Sequence, residues 1–314
     1  MRKEVIAHKV PKSPISELFR TLRTNIQFMN NNKKMKTLLV TSAFIGEGKS
    51  WVASNLAVTF AQTGKKVILI DADMRKGRQY AIFGVSPKPG LSNLLVEYDL
   101  ENGNSDQILD YVQETEVENL FIISAGNVPP NPSELLVSKE MSKILDELRN
   151  ICDIVIIDGT PCELVTDSVI LSRIVDTTIV ITAHKKTKKE ALQRVLKNIK
   201  NVGGNLAGVV INKVPISAKK YGDKYYYYGS KNKEKYKKRH SKNKEKLDSE
   251  ETFVKKENED KHYIKTEIDK IDEDMPNAFQ DKKESPLDTP MNSCDKTNDI
   301  LNQINEYLEK ERNS

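Results

Sequence analysis

The sequence predicts an α/β fold, with a doubly wound and mostly parallel sheet built from residues 1–215. Three observations predict it. Short apolar runs rich in β-branched residues alternate with stretches long enough for helices. One run leads straight into a glycine-containing loop that ends in Lys49-Ser50, and two others end in aspartate. The apolar periodicity then stops near Val214.

The runs are Thr37–Thr41, Lys66–Ile70, Leu120–Ser124, Ile154–Ile157, Thr178–Thr182 and Ala207–Ile211. None alternates with polar residues, which is how strands covered on both faces read. Ser50–Gly64, Ser133–Arg149 and Lys188–Val202 are long enough for the crossover helices between them.

The chain has 314 residues, of which 38% are apolar and 30% charged, with a mean hydropathy of −0.56. That suits one large α/β domain plus material that joins no core. No apolar run of membrane-spanning length occurs, and Met1–Lys9 lacks an apolar signal segment, so a cytoplasmic protein is expected. The three cysteines, Cys152, Cys162 and Cys294, have no metal-site spacing and fit a reduced compartment. The net charge of +5 hides an uneven distribution. Residues 217–247 carry 12 basic and 3 acidic groups, and residues 248–314 carry 10 basic and 19 acidic ones. Residues 216–298 are too polar to offset their ordering entropy and are expected to be largely disordered. Near the end, Ile300, Ile304, Tyr307 and Leu308 are spaced like one face of a short helix. The expected organisation is therefore a domain at 1–215, a basic tyrosine-rich tail at 216–240 and a charged extension at 241–314.

Residues 43–50, Ala-Phe-Ile-Gly-Glu-Gly-Lys-Ser, form a phosphate-loop pattern placed between a strand and a helix. Backbone N–H groups at a helix start bind anionic phosphate, and Gly46 and Gly48 let the backbone come close. Lys49 then reaches the β- and γ-phosphates, and the Ser50 hydroxyl takes a place on Mg²⁺. The nucleotide-contacting set read here is Gly46, Glu47, Gly48, Lys49, Ser50 and Trp51. In open α/β sheets ligands sit beyond the carboxyl ends of strands, where Asp71, Asp73 and Asp158 all fall. Asp158 reads as the second acidic motif of a nucleotide site, holding Mg²⁺. Asp71 and Asp73, two residues apart, would project from the same side of an extended segment. A helix cap or a turn after the strand is the plain structural alternative for that pair.

The phosphate loop, Val67-Ile-Leu-Ile-Asp71-Ala-Asp73-Met-Arg75 and Ile154-Val-Ile-Ile-Asp158-Gly-Thr-Pro161 together resemble the three Walker-type motifs of bacterial tyrosine kinases. These are kinases of capsule and exopolysaccharide assembly, in the split form of the CpsD/CapB type, where the kinase is separate from its membrane activator. Glu17-Leu-Phe-Arg20-Thr-Leu-Arg23 is similar to that family's oligomerisation helix, expected here over about 14–30. Val128-Pro-Pro-Asn-Pro-Ser-Glu134-Leu-Leu is similar to another family segment. The resemblance covers about residues 1–230 and implies a phosphate-loop NTPase fold of the MinD-like type. It also implies ATP and Mg²⁺ as cofactors. Lys49 and Ser50 would bind ATP·Mg²⁺, Asp71 would help activate the incoming tyrosine hydroxyl, and Asp73 and Asp158 would organise the metal, with Ser50 and Asp71 also counted among its ligands. Asn212 would face the adenine. Glu17, Arg20 and Arg23 would join protomers in a ring, and their three-residue steps keep them neighbours on a helix surface. The implied partners are the activator's cytoplasmic tail, which recruits the kinase to the inner membrane face, and a cognate tyrosine phosphatase.

Six tyrosines fall close together among lysines: Tyr221, Tyr225, Tyr226, Tyr227, Tyr228 and Tyr236. Such interleaving also suits single-stranded nucleic acid, but no RNA-binding motif accompanies it and no nucleic acid is expected. The family places such a cluster as its own phosphorylation target, usually at the very C-terminus, whereas here about 80 residues come after it. The expected function is autophosphorylation of this cluster in trans, which regulates polysaccharide synthesis and export. The alternatives are a partitioning ATPase of the MinD/ParA-like type and a nucleotide-binding scaffold without transfer. Phe44 stands where partitioning ATPases carry an extra lysine that reaches across a dimer, which weighs against the first alternative. Ala43 and Ile45 also depart from the usual loop residues, but neither position supplies a ligand-bearing side chain.

Overall fold

A computed structural model describes residues 4–29 and 35–215. It opens with helices α1 (Ile6–Lys9) and α2 (Pro14–Met29), then β1 (Thr37–Ser42), α3 (Lys49–Ala61) and β2 (Val67–Asp71). Short helices α4 (Gln79–Phe83), α5 (Leu91–Glu97) and α6 (Ser105–Leu109) lead to β3 (Gln113–Glu114) and β4 (Leu120–Ile123). The rest is α7 (Pro132–Val137), α8 (Lys139–Ile151), β5 (Ile154–Pro161), α9 (Asp167–Ile174), β6 (Thr177–Ala183), α10 (Lys189–Asn201) and β7 (Leu206–Asn212).

The strands form one sheet in the order β3-β4-β2-β5-β1-β6-β7, parallel except for β3 against β4. The expected α/β class and all six expected strands are present. The sequence reading missed β3, a two-residue polar edge strand with no apolar run to announce it. The helix expected over 133–149 is two helices. Ser138 is extended between them, and its hydroxyl accepts the Met141 N–H at the start of α8. The Asn104 side chain caps α6 in the same way.

Alternate strand residues feed two cores, one on each face. Leu38, Val40, Val67, Leu69, Ile154 and Ile156 pack on one side with α3. Leu39, Ile68, Ile70, Val155 and Ile157 pack on the other with α5 and α8. Every residue of α3 from Val52 to Ala61 is buried, because the helix is covered on its outer side by α1 and α2. The buried Asn55 fixes that cover, since its side chain accepts the Ala7 N–H at 2.9 Å and donates to the Glu4 carbonyl at 3.0 Å. Gln62 donates to the Ala7 carbonyl at 2.9 Å. This strand order sets the carboxyl ends of β1, β5 and β2 side by side, with Asp71 in register with Asp158.

Candidate active site

The phosphate loop comes directly after β1 and runs into the N-terminus of α3. Gly48 precedes the helix with φ +94°, in the left-handed region, and a Cβ there would meet Asn212 Nδ2 at 2.2 Å. Only glycine suits both the conformation and that contact. Asn212, at the end of β7, donates to the Glu47 carbonyl at 2.9 Å and so ties the loop to that strand. Glu47 is buried, and its side chain braces the loop from within. It accepts the Phe44 N–H at 2.8 Å and the Thr187 hydroxyl, which comes from the segment after β6. The Thr187 hydroxyl in turn accepts the Ala183 N–H at 2.9 Å. Glu47 therefore shapes the loop with its side chain, while its neighbours' backbone N–H groups remain for an anion.

Lys49 donates to Asp73 Oδ2 at 3.0 Å, to Asp158 Oδ1 at 3.4 Å and to the Ser50 hydroxyl at 3.2 Å. Burial alone lowers an ammonium's pKa. Here Asp158, then Asp73 and Asp71, outweigh it and hold Lys49 above its ordinary value. Asp71 is fully buried, and its pKa is pushed up to about 7, first by burial and then by the facing charge of Asp158. Both of its oxygens accept backbone N–H groups, Oδ2 from Arg78 and Gln79 at 2.7 and 2.9 Å and Oδ1 from Asp73 at 3.3 Å. The turn alternative for Asp71 is thus part of what it does. Asp71 and Asp73 do not extend side by side along one strand, because β2 ends at Asp71 and the chain turns there. Asp73 reaches Lys49 as a result, and Asp71 holds the turn. Gly77 makes the close approach possible, since a Cβ there would lie 2.9 Å from Asp71 Oδ2.

Helix-length amphipathic spacing gave no sign of Gln79, the residue that joins these groups. It is fully buried at the start of α4. Its amide nitrogen donates to Asp158 Oδ2 at 2.8 Å and to the Ser50 carbonyl at 3.1 Å, and its amide oxygen accepts the Ser54 hydroxyl at 2.8 Å. A polar residue heading the apolar run Ala81-Ile82-Phe83 was the available signal. Arg75 closes the Val67–Arg75 motif. It pairs with buried Asp167 at 3.0 Å, and Ser133 donates to the same carboxylate at 2.6 Å. The hydrogen bond to Asp167 holds the Arg75 guanidinium above its ordinary pKa.

A family model described as AAA domain matches residues 11–209. A putative tyrosine-protein kinase CapB of Staphylococcus aureus is 41% identical over 222 residues, covering 71% of this chain and 93% of that one. Tyrosine-protein kinase YwqD of Bacillus subtilis is 38% identical over 232 residues, covering 74% and 94%. The chain belongs to the bacterial tyrosine kinases. Solved structures agree. The chimerical protein CapA2B2 is 36% identical with a TM-score of 0.63, covering 69% of this chain and 92% of that one. The kinase domain of Escherichia coli tyrosine kinase ETK is 30% identical with a TM-score of 0.63, covering 68% and 81%. The enzyme is a protein-tyrosine kinase that uses ATP, as its motifs led one to expect.

The donors of the kinase site fit a nucleotide-bound cation. The Ser50 hydroxyl and an Asp158 oxygen lie 3.2 and 3.4 Å from the Lys49 nitrogen, so one hydroxyl and one carboxylate sit close together beside the phosphate loop. Among the described residues no group of three or more His, Cys, Asp or Glu side chains forms a metal cage. A hydroxyl and a carboxylate beside a phosphate-binding loop are donors of the kind Mg²⁺ takes together with phosphate oxygens and water.

Trp51 is the third residue of α3, and its ring meets Phe19 of α2 edge-on at 5.0 Å. On α2, Arg20 pairs with Glu17 at 2.8 Å and donates to the Pro11 carbonyl at 2.7 Å. Arg23 donates to the Thr59 carbonyl of α3 at 2.7 Å, and burial, with the nearby Arg20 charge second, lowers its pKa. Tyr221, Tyr225, Tyr226, Tyr227, Tyr228, Tyr236 and the expected C-terminal helix lie outside the described residues. No helix of the described residues is long and apolar enough to cross a membrane.

Proposed function

We propose that this kinase transfers the γ-phosphoryl group of ATP to Tyr221, Tyr225, Tyr226, Tyr227, Tyr228 and Tyr236 of a neighbouring copy, and so regulates capsular or exopolysaccharide synthesis and export. The observation that carries the reading is the buried cluster of Lys49, Asp73, Asp158 and Asp71 at the mouth of the phosphate loop. Loop N–H groups and Lys49 hold the phosphates, which aligns the γ-phosphorus with an incoming phenol. Asp71, with a pKa near the working pH, accepts the phenolic proton as the Oη–phosphorus bond forms and the bond to the bridging oxygen breaks. Mg²⁺, held by Ser50 and Asp158 with Asp71 close by, would supply charge neutralisation at the β- and γ-phosphates. Asp73 positions Lys49, and Asn212 shapes the nucleotide side of the loop.

Assembly through Glu17, Arg20 and Arg23 would bring one copy's tyrosines to the next copy's site. A membrane-bound activator would recruit the enzyme to the inner face of the membrane, and a tyrosine phosphatase would reverse the modification. The charge of 248–314 opposes that of 217–247, so the extension would restrain access to the tyrosines at low salt. The test is incubation with labelled ATP and Mg²⁺, with and without the activator's cytoplasmic tail, read by phosphosite mapping. Label on the tyrosine cluster that is absent in Lys49→Met supports the reading. Label released only as free phosphate under both conditions overturns it.

A further inference from the structure

At the β3 edge of the sheet, Ile68, Leu109, Val112 and Phe121 line a groove of about 190 Å³, with Glu114 at its side. Lys66 also lines it, its ammonium 5.7 Å above the Phe121 ring. Leu109 and Glu114 are exposed there. The groove is too small for a helix and is large enough for one aromatic side chain. Its surroundings are predominantly acidic. Residues 89–138 include nine Asp and Glu and no Lys or Arg. All eight carboxylates from Glu97 to Glu118 are exposed. Neighbouring elements contribute Lys66, Lys88 and Lys143 as cations; Lys88 is tied to the β3 edge through Ser86 and Gln113, and Lys143 is engaged with Glu147.

The same chain carries the complementary ligand. Residues 217–247 place six tyrosines among 12 basic and 3 acidic groups. Tyrosine rings suit an apolar slot with a wet rim, and the flanking lysines suit the carboxylates around it. The strand order favours a neighbour's tail. β7, from which the chain continues to the tail, lies at the opposite edge of the sheet from β3. Six interstrand steps separate the two edges by about 29 Å. Ten residues separate position 215 from Tyr225, a reach of about 34 Å if fully extended. For Tyr225 a chain's own tail would have to stay almost taut, while Tyr236, 21 residues past position 215, has a reach of about 70 Å. A copy set with its β7 edge toward this β3 edge delivers the whole segment without stretching it.

We infer that the β3-edge groove and its acidic surround are a docking site for the basic tyrosine segment of a neighbouring copy. This deepens the trans-transfer reading and rests on it. Ile68 lies three residues before Asp71 on the same strand, about 10 Å from the reacting end. One tyrosine held at the edge raises the local concentration of the others at the active site. Each transferred phosphate adds −1.5 to −2 charge, so the modified tail loses its attraction for the acidic edge and leaves.

The test uses a fluorescein-labelled 217–247 peptide and the full chain without ATP, read by anisotropy at low salt. Asp110→Asn/Glu114→Gln/Glu118→Gln, three exposed isosteric changes, is expected to weaken binding about tenfold and to flatten its salt dependence. Leu109→Ser, also at an exposed position, weakens binding about threefold, and a peptide phosphorylated on Tyr225–Tyr228 binds about tenfold more weakly or worse. Affinities that do not differ between wild type and the triple variant overturn the docking site. In a second arm, a Lys49→Met chain serves as substrate for a kinase whose six cluster tyrosines are phenylalanine. The triple variant should raise KM with kcat unchanged. Absence of label with an intact edge would defeat the transfer reading and leave the anisotropy result standing. Separate chains carrying Glu114→Cys and Gly229→Cys, both in a Cys294→Ser background, should cross-link to each other. Cross-links formed only within one doubly substituted chain would assign the groove to the chain's own tail and overturn the neighbour.

Discussion

Carboxylates gather in two regions of this kinase, at the carboxyl ends of β2 and β5 and along the β3 edge. Asp71 and Asp158 are fully buried, Asp73 is nearly so, and each is engaged by Lys49, Gln79 or backbone N–H groups. From Glu97 to Glu118 the carboxylates face water. The same chemical group therefore does two kinds of work. Buried charges in a low-dielectric site act at short range and must each be satisfied, so the neighbouring fold is committed to them. Exposed charges act collectively and at longer range, are screened by salt, and leave the fold almost indifferent to any one of them.

The largest effect expected from this contrast is at Lys49. Lys49→Met should reduce transfer by about 10³-fold or more, measured by initial-rate phosphotyrosine formation, because it removes the cation that both aspartates converge on. Activity within tenfold of wild type would break the claim that the buried cluster carries the chemistry. Next comes Gln79→Leu, which strips Asp158 of a donor and leaves the Ser54 hydroxyl without its Gln79 partner. A loss of about 2–3 kcal/mol of stability in urea melts is expected, with a drop in kcat of about tenfold or more.

The pH dependence sharpens the comparison further. The folded-state pKa of Asp71 is raised to about 7, above its ordinary value of 3.8. Between those values the folded chain holds a proton that the unfolded chain releases. The contribution of Asp71 to stability is therefore fully present below the unfolded value and is lost as pH rises through 7, by up to about 1.4 kcal/mol per pH unit. Without nucleotide, wild type should lose stability relative to Asp71→Asn as pH rises from 5 to 8, and parallel melting curves would contradict this. The smallest effect belongs to the edge. Asp106→Asn and Glu118→Gln should each change stability by no more than about 0.5 kcal/mol at any pH from 5 to 8, as read by urea midpoint. A larger change would mean that the edge is structural after all.

Much of this was legible in the chain. The β-branched runs announce the strands because a strand covered on both faces has no polar alternation to hide it, and β1, β2, β5 and β6 are buried along their whole length. Lys49, Asp73 and Asp158 fall near the carboxyl ends of β1, β2 and β5, where the motifs put them, because local sequence fixes the turn at the end of each strand. Gln79 and Thr187 were not legible. Each acts on a loop that is distant in sequence, and nothing in a glutamine or a threonine says which carboxylate it will face. The same limit applies to Glu47, whose place in the loop suggested nucleotide contact while its side chain turns inward to Thr187.

The sequence alone determined the features that depend on near neighbours: the strands, the phosphate loop at a helix start, the acidic strand ends, and the opposite charges of 89–138 and 217–247. Adjacency was decided only by the tertiary structure. The order β2-β5-β1 puts Asp71 against Asp158 and both beside Lys49, and it sends β7 and β3 to opposite edges. The reason is physical. Backbone pairing and burial choose among strand orders by the sum of many long-range contacts, and no single segment carries that sum.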